Sequence, residues 1–359
     1  MKSIPVAKPL IDRQDIRAVV KVMKTGGLAQ GPQVSKFENL FSEFVDGRNC
    51  VAVNSGTSAL HLALLSLGIG PGDEVIVPSF TFAATANSVA LTGAKPVFVD
   101  IDPKTFNLDP NLIEEAITKN TKAIQVVHLY GLPADMKLIC ALARKHNLLI
   151  IEDAAQAHLA SIDGQPVGSF GDAAAFSFYP TKNMTSGEGG MIVLKDSNHA
   201  RICKLLRNQG MEQRYQNEVI GFNLRMTDIH AAIGISQIRK VKQWTESRQD
   251  NARFLNENIQ EVVTPIIPMG YSHVFHQYTI RVAKQRDLFS EKLTELGIGN
   301  SVYYPTQVHK LPSFDSEVVL RHTQDATNQV LSLPVHPSLT KRDLKRIAEG
   351  VNQVGLSLK

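Results

Sequence analysis

Only three cysteines, Cys50, Cys140 and Cys203, occur in 359 residues. They lie far apart, with no CxxC pair and no matching histidine spacing, so the sequence offers neither a disulfide framework nor a zinc site. Long apolar runs are missing as well. No segment reaches the roughly 18 uncharged apolar residues of a membrane span, and the N-terminus, MKSIPVAKPLIDRQD, has charges and prolines where a signal peptide has its apolar core. An excess of one charge is also lacking. The net charge is +4, with lysines and arginines scattered among carboxylates, so no basic stripe points to nucleic acid. Repeats and low-complexity segments are absent. These absences predict a cytoplasmic protein, without a metal, whose partners are small molecules.

What is present is ordinary globular composition, 43% apolar and 20% charged, in a chain long enough for one large domain and a smaller one. Asp12 can cap a helix in which Ile16, Val19, Val20 and Met23 form a stripe that must pack on something. A second amphipathic helix runs through Phe37, Leu40, Phe41 and Phe44. A buried strand at Cys50 to Val53 then leads through Asn54-Ser55-Gly56-Thr57 into a helix carrying Leu60, Ala63, Leu64 and Leu67 on one face. Strands and helices alternate from there. Strands are expected at Glu74 to Val77, Pro96 to Val99, Ala123 to Val127 and Leu148 to Ile151. Helices are expected from about Phe82 to Leu91, near Pro110 to Ile117 and from Asp135 to His146. Such alternation predicts an α/β fold with a mainly parallel sheet covered by helices, whose ligands gather at the carboxyl ends of the strands. Beyond Trp244, the only tryptophan, the alternation fades. We expect a large domain over 1–245 and a smaller α+β domain over 246–359, closed by a helix with Leu344, Ile347, Ala348 and Val351 on one face.

Three places on this sheet invite chemistry. The turn Ser55 to Ser58 opens a helix, whose first N–H groups lack internal partners and lie at the positive end of its dipole; it reads either as a phosphate cradle or as a simple cap. Asp153 ends the apolar run Leu148-Leu149-Ile150-Ile151-Glu152. It reads either as a helix cap or as a buried carboxylate needing a cationic partner. Lys182 lies in SFYPTKNMTSGEGG, between the apolar run Ala173 to Phe178 and a second strand, Met191 to Leu194. Alone it would pass for a solvated loop lysine. Held between two core strands, its amine would lose part of its hydration and become nucleophilic at lower pH.

In that order, the phosphate turn, Asp153 and Lys182 resemble a fold-type I pyridoxal-phosphate enzyme. The strings TGGLAQGP, NSGTSALHLAL, EVIVPSFTFAATAN, PVFVDID, VHLYG, IEDAAQAH, SFYPTKNMTSGEGG, GFNLRM and LSLPVHP together resemble the DegT/DnrJ/EryC1/StrS family of sugar aminotransferases, from about Pro9 to beyond Pro337. The resemblance implies pyridoxal 5'-phosphate bound to Lys182 as a Schiff base, with Lys182 also moving the substrate proton. It implies Asp153 paired with the pyridinium nitrogen, Phe82 stacked on the ring and Gln156 near the ring hydroxyl. Ser55, Gly56, Thr57 and Ser177 would bind the phosphate, and Asn223 would reach the phosphate of a neighbouring subunit in a homodimer with shared active sites. Phe82 reads equally well as core, and Ser177 as a residue bonded to backbone. Tyr303, Tyr304 and His309 resemble a segment near the sugar pocket, or else pack the smaller domain.

The implied reaction moves an amino group from glutamate or glutamine to a nucleotide-linked keto-hexose, and the SGEGG ending resembles members acting at C4 more than at C3. Rival readings are a keto-cyclitol acceptor, a PLP-dependent sugar dehydratase and a non-catalytic sensor or scaffold. Dehydratase relatives carry histidine at the lysine position, where this chain has Lys182. Two residues depart from the family pattern: Leu159 replaces a common glycine and Leu224 a common tyrosine. They bear on acceptor choice more than on cofactor binding.

Overall fold

A computed structural model describes residues 3–358; Met1, Lys2 and Lys359 lie outside the described residues. The chain opens with α1 (Arg13–Thr25), where Asp12 accepts from the Gln14 and Asp15 N–H groups, Asp15 returns the bond, and Gly26 at φ 73 ends the helix. There follow α2 (Pro32–Ser42), β1 (Asn49–Val53), α3 (Gly56–Ser66), β2 (Glu74–Pro78), α4 (Ala84–Ala90), β3 (Lys95–Val99), β4 (Thr121–Val127), α5 (Met136–His146) and β5 (Leu149–Asp153). Then come β6 (Ala173–Ser177), β7 (Gly190–Leu194), α6 (Ser197–Arg207), α7 (Asp228–Ile238) and α8 (Val241–Asn258). The last part holds β8 (Tyr278–Arg281), α9 (Arg286–Glu295), α10 (Arg321–Gln329), β9 (Val330–Leu333) and α11 (Lys341–Ser357).

Strands β1 to β7 make one sheet in the order β1-β7-β6-β5-β4-β2-β3. The contacts among β2, β3, β4, β5 and β6 are parallel. Strand β7 alone runs against both neighbours, β6 and β1. The sheet is therefore mainly parallel with helices over both faces, as expected. Alternate side chains of β1 feed the two layers: Cys50 and Ala52 join Phe37, Phe41, Phe176 and Phe178, whereas Val51 and Val53 join Leu60 and Leu64. A third apolar cluster takes Ala252 and Leu255 from α8, Tyr278 and Ile280 from β8, Leu333 from β9 and Ile347 and Val351 from α11, together with Ile4. Helix α8 itself runs unbroken through residue 245.

Two local expectations fail, and a third holds with its start moved by two residues. Residues 110–117 form two short 3₁₀ turns, Pro110–Leu112 and Glu114–Ala116, instead of a helix. With Ile113 as the fully buried anchor, the segment closes only i to i+3 bonds. The helix expected from Phe82 starts at Ala84, leaving Phe82 on the loop after β2. The apolar stripe of α1 does not face the core: Ile16, Val20 and Met23 are exposed, and the helix is anchored through buried Asp15 and Val22. Among the described residues no helix is long and apolar enough to cross a membrane, and no cluster of metal-ligating side chains forms.

Candidate active site

The carboxyl ends of β1, β2, β5 and β6 converge, and glycines decide how closely. A Cβ on Gly56 would stand 2.8 Å from the Ser177 Cβ, so the start of α3 lies directly against the end of β6. A Cβ on Gly190 would fall 2.3 Å from the Ser55 carbonyl oxygen, so β7 also comes within backbone distance of that turn. Ser55 caps α3, its hydroxyl accepting from the Ser58 N–H at 3.1 Å and meeting the Ser58 hydroxyl at 2.9 Å. Its side chain is thus spent on the helix. The Gly56 and Thr57 N–H groups have no acceptor among the described residues. With the neighbouring Ser177 hydroxyl, they form a cradle of donors at a helix N-terminus.

Asp153 ends β5 in a nearly dry place, 6% exposed. Its carboxylate accepts from the Thr85 hydroxyl at 2.8 Å and from the Ala155 N–H at 3.2 Å. Burial pushes its pKa up, against the pull of Thr85, the Ala155 N–H and Lys182. The preceding residue, Glu152, is handled differently. On the opposite face of the strand its carboxylate accepts from the Gly168, Phe170 and Gly171 N–H groups and pairs with His128 Nε2 at 3.1 Å. Since His128 Nδ1 accepts from the Ala134 N–H, Nε2 carries the ring proton and donates it to Glu152. Glu152 is a satisfied structural anion; Asp153 is not.

Lys182 lies in the loop between β6 and β7, held by Phe178 N–H to Gly189 O at 2.9 Å, Ser186 N–H to Phe178 O at 3.0 Å and Thr185 hydroxyl to Phe178 O at 2.8 Å. Desolvation lowers the pKa of its half-buried side chain to about 8, with the Asp153 carboxylate pulling the other way. Beneath it lies His158, enclosed by Phe41, Phe176 and Phe178, with neither ring nitrogen hydrogen-bonded and its pKa driven down to about 3 by burial. A neutral imidazole there adds no second positive charge below the amine.

The other expected residues divide into two groups. Phe82 is 63% exposed beside this centre, linked to it through Thr85, whose N–H bonds to Phe82 O at 3.1 Å. Gln156 uses both ends of its amide, accepting from the Tyr130 N–H and donating to the Tyr304 hydroxyl, each at 2.6 Å. Tyr304 therefore joins the site, within an aromatic cluster that includes Phe80, Tyr130 and Tyr303. His309 stands apart, buried on the 3₁₀ turn Val308–Lys310 with Nδ1 at 2.7 Å from the hydroxyl of Ser79, the residue after β2. Asn223 is exposed on a segment pinned beside β1, where Asn54 N–H bonds to Leu224 O at 3.0 Å. Leu224 packs partly into the core under α3, and Leu159 takes φ 70, a backbone region that favours glycine. Thr85, the partner of the central carboxylate, escaped sequence reading. Its signal was its position three residues after Phe82 in FTFAATAN, which brings it back to the same side of the strand end.

A buried carboxylate, a desolvated amine and a donor cradle suit a ligand carrying a cation, a carbonyl and an anion. Comparison with known proteins agrees in kind. The sequence profile of the DegT/DnrJ/EryC1/StrS aminotransferase family matches residues 9–352. A pleiotropic regulatory protein of Geobacillus stearothermophilus is 43% identical over 94% of this chain and 93% of its own length. GDP-perosamine synthase of Caulobacter vibrioides is 41% identical over 98% of both chains. Among solved structures, the PLP-form of the putative sugar aminotransferase Spr1654 from Streptococcus pneumoniae superposes with a TM-score of 0.95 at 26% identity, over 99% of this chain and 100% of that one. With a match running almost from end to end, the chain belongs to the DegT/DnrJ/EryC1/StrS aminotransferase family.

Proposed function

We propose that this protein is a pyridoxal-phosphate-dependent sugar aminotransferase that moves an amino group from glutamate or glutamine to a nucleotide-linked keto-hexose, at C4. The observation that carries this reading is the Lys182 amine, desolvated beside the buried Asp153 carboxylate. The residues fit the cofactor. Asp153 has two hydrogen-bond donors and, among the described residues, no ion pair within salt-bridge distance, as suits a carboxylate that meets a protonated ring nitrogen. The open Gly56 and Thr57 N–H groups and the Ser177 hydroxyl suit a phosphate, and exposed Phe82 offers a ring face.

When bound, pyridoxal phosphate supplies a carbonyl for the amino group and a ring that spreads the charge left on the substrate carbon. The protein's part is position and proton transfer. The Lys182 amine would hold the cofactor and, once released, would carry a proton between the substrate carbon and the cofactor carbon, one way with the donor and the other way with the acceptor, a role served by a pKa near working pH. Thr85 orients the Asp153 carboxylate, and Gln156 ties the Tyr130 turn to Tyr304.

The C4 assignment draws on the SGEGG ending, and the nucleotide-sugar acceptor on similarity to a GDP-perosamine synthase. The name of the Geobacillus relative speaks of regulation; Lys182, Asp153 and Gln156, all in place, favour catalysis. Exposed Ile16, Val20 and Met23 on α1, with outward Asn223, support a homodimer with shared sites, and three unpaired cysteines support a cytoplasmic setting. The test is the absorbance of the protein with added pyridoxal phosphate. Bleaching of the bound-cofactor band by glutamate and its return with a nucleotide keto-sugar is the expected result. Failure to form that band would remove Lys182 as the anchor and favour a scaffold.

A further inference from the structure

Strand β4 lies between β2 and β5, and its residues Ala123, Ile124 and Val126 are wholly buried and apolar. Gln125 interrupts that run. It is 0% exposed and shares with Ala123 the face covered by α3 and α4. Its amide nitrogen donates to the Thr85 carbonyl at 2.7 Å and to the Ser88 hydroxyl at 3.3 Å, while Ser88 donates to the same carbonyl at 2.9 Å. Since that carbonyl can only accept, the nitrogen of the amide faces it and Oε1 turns away. Oε1 is buried and has no hydrogen-bond partner.

A buried acceptor without a donor destabilises a core, and methionine or leucine in this place would bring no such penalty. What the glutamine contributes lies at its other end. Helix α4 is seven residues long, and no side chain caps its N-terminus. Among the described residues, the bond from Gln125 is the one side-chain tie from the sheet to the backbone of its first turn. The residue it ties, Thr85, touches the central carboxylate. The Thr85 hydroxyl has one proton, which goes to Asp153 Oδ2 at 2.8 Å, so the Thr81 hydroxyl at 3.0 Å is a donor to it. Asp153 Oδ1 accepts from the Ala155 N–H at 3.2 Å. The carboxylate plane is therefore set from two sides, one by its own strand end and one by Thr85.

We propose that Gln125 is a positioning residue for the cofactor ring: it holds the Thr85 peptide so that the Thr85 hydroxyl meets Asp153, and thereby fixes the carboxylate that faces the ring nitrogen. The inference rests on the pyridoxal-phosphate reading above and adds β4 to the elements that build the site.

The test is a double-mutant cycle read by pyridoxal-phosphate titration. Gln125→Met keeps the length of the side chain and removes both the donor and the orphan oxygen. It should weaken cofactor binding roughly three- to tenfold, the worth of one neutral hydrogen bond, while the cofactor-free protein melts no lower than the parent. Combined with Thr85→Val it should add nothing to the loss that Thr85→Val causes alone, because without the hydroxyl there is nothing left to aim. The pH at which the bound-cofactor absorbance changes should move in the same sense in Gln125→Met and in Thr85→Val. Gln125→Leu repeats the measurement with a branched side chain should methionine pack badly. Additive losses in the double variant would overturn the proposal, as would an affinity and a pH midpoint equal to the parent's in both Gln125 variants. So would a lower melting temperature in both, which would make the residue structural. A parent protein that binds no pyridoxal phosphate would instead overturn the cofactor reading.

Discussion

Lys182 and Asp153 titrate in opposite senses, and each makes a signed prediction. The Lys182 pKa falls from 10.5 to about 8 in the folded chain. Below pH 8 both states are protonated and the folded state bears the full penalty. Between about 8 and 10.5 the folded state sheds its proton first, so stability rises with pH, by on the order of 3 kcal/mol. Thermal melting of cofactor-free protein should show this gain in the parent and not in Lys182→Met; equal pH profiles would refute it. Asp153 runs the other way. Its pKa is raised, so stability falls as pH climbs from 3.8 to the folded value. Lys182→Ala should also cut transamination by at least about a thousandfold, with circular dichroism unchanged. A variant that keeps its turnover would exclude Lys182 from the chemistry. Thr85→Val leaves the Asp153 carboxylate one donor short, which should weaken cofactor binding by about 1–3 kcal/mol; cofactor titration checks it.

The strand-end turns set the spacing of these groups, and there the sequence was most legible. The β1 to α3 passage and the β6 to β7 return were readable because an apolar strand, a glycine turn and an apolar return carry opposite signals in adjacent residues. The 110–117 segment was not, since leucine, isoleucine and alanine at helical spacing say nothing of which one finds a core; only Ile113 anchors it fully. Ser55 showed the limit differently: cap and phosphate cradle call for the same residue types, and only the geometry shows its hydroxyl already used. Gly190→Ala tests the spacing itself. Its new methyl would meet the Ser55 carbonyl, backbone that cannot swing away. The variant should lose about 1–3 kcal/mol and bind cofactor more weakly, read by melting and by cofactor titration. Undiminished affinity would mean that β7 does not set the cradle.

In the molecule as a whole, the exposed apolar surface of α1 is the contact that the proposed homodimer would use. Its stripe was legible as apolar; its orientation was not, because periodicity tells which side chains share a face and not which way the face turns. Ile16→Glu combined with Met23→Glu alters residues exposed in the single chain, so the fold should keep its stability within about 0.5 kcal/mol. Sedimentation should then move from dimer to monomer, with activity falling in step. An unchanged dimer would place the contact elsewhere. The topology also governs how the protein is born. Strand β1, the first of the sheet to leave the ribosome, has β7 as its one neighbouring strand in that sheet, Asn49 facing Leu194. During synthesis its hydrogen-bonding edge has no native neighbour until residues 190–194 emerge. The nascent chain therefore carries an unsatisfied strand while residues 54–194 are made, and the step that relieves it, insertion of β7 between β1 and β6, also closes the loop bearing Lys182.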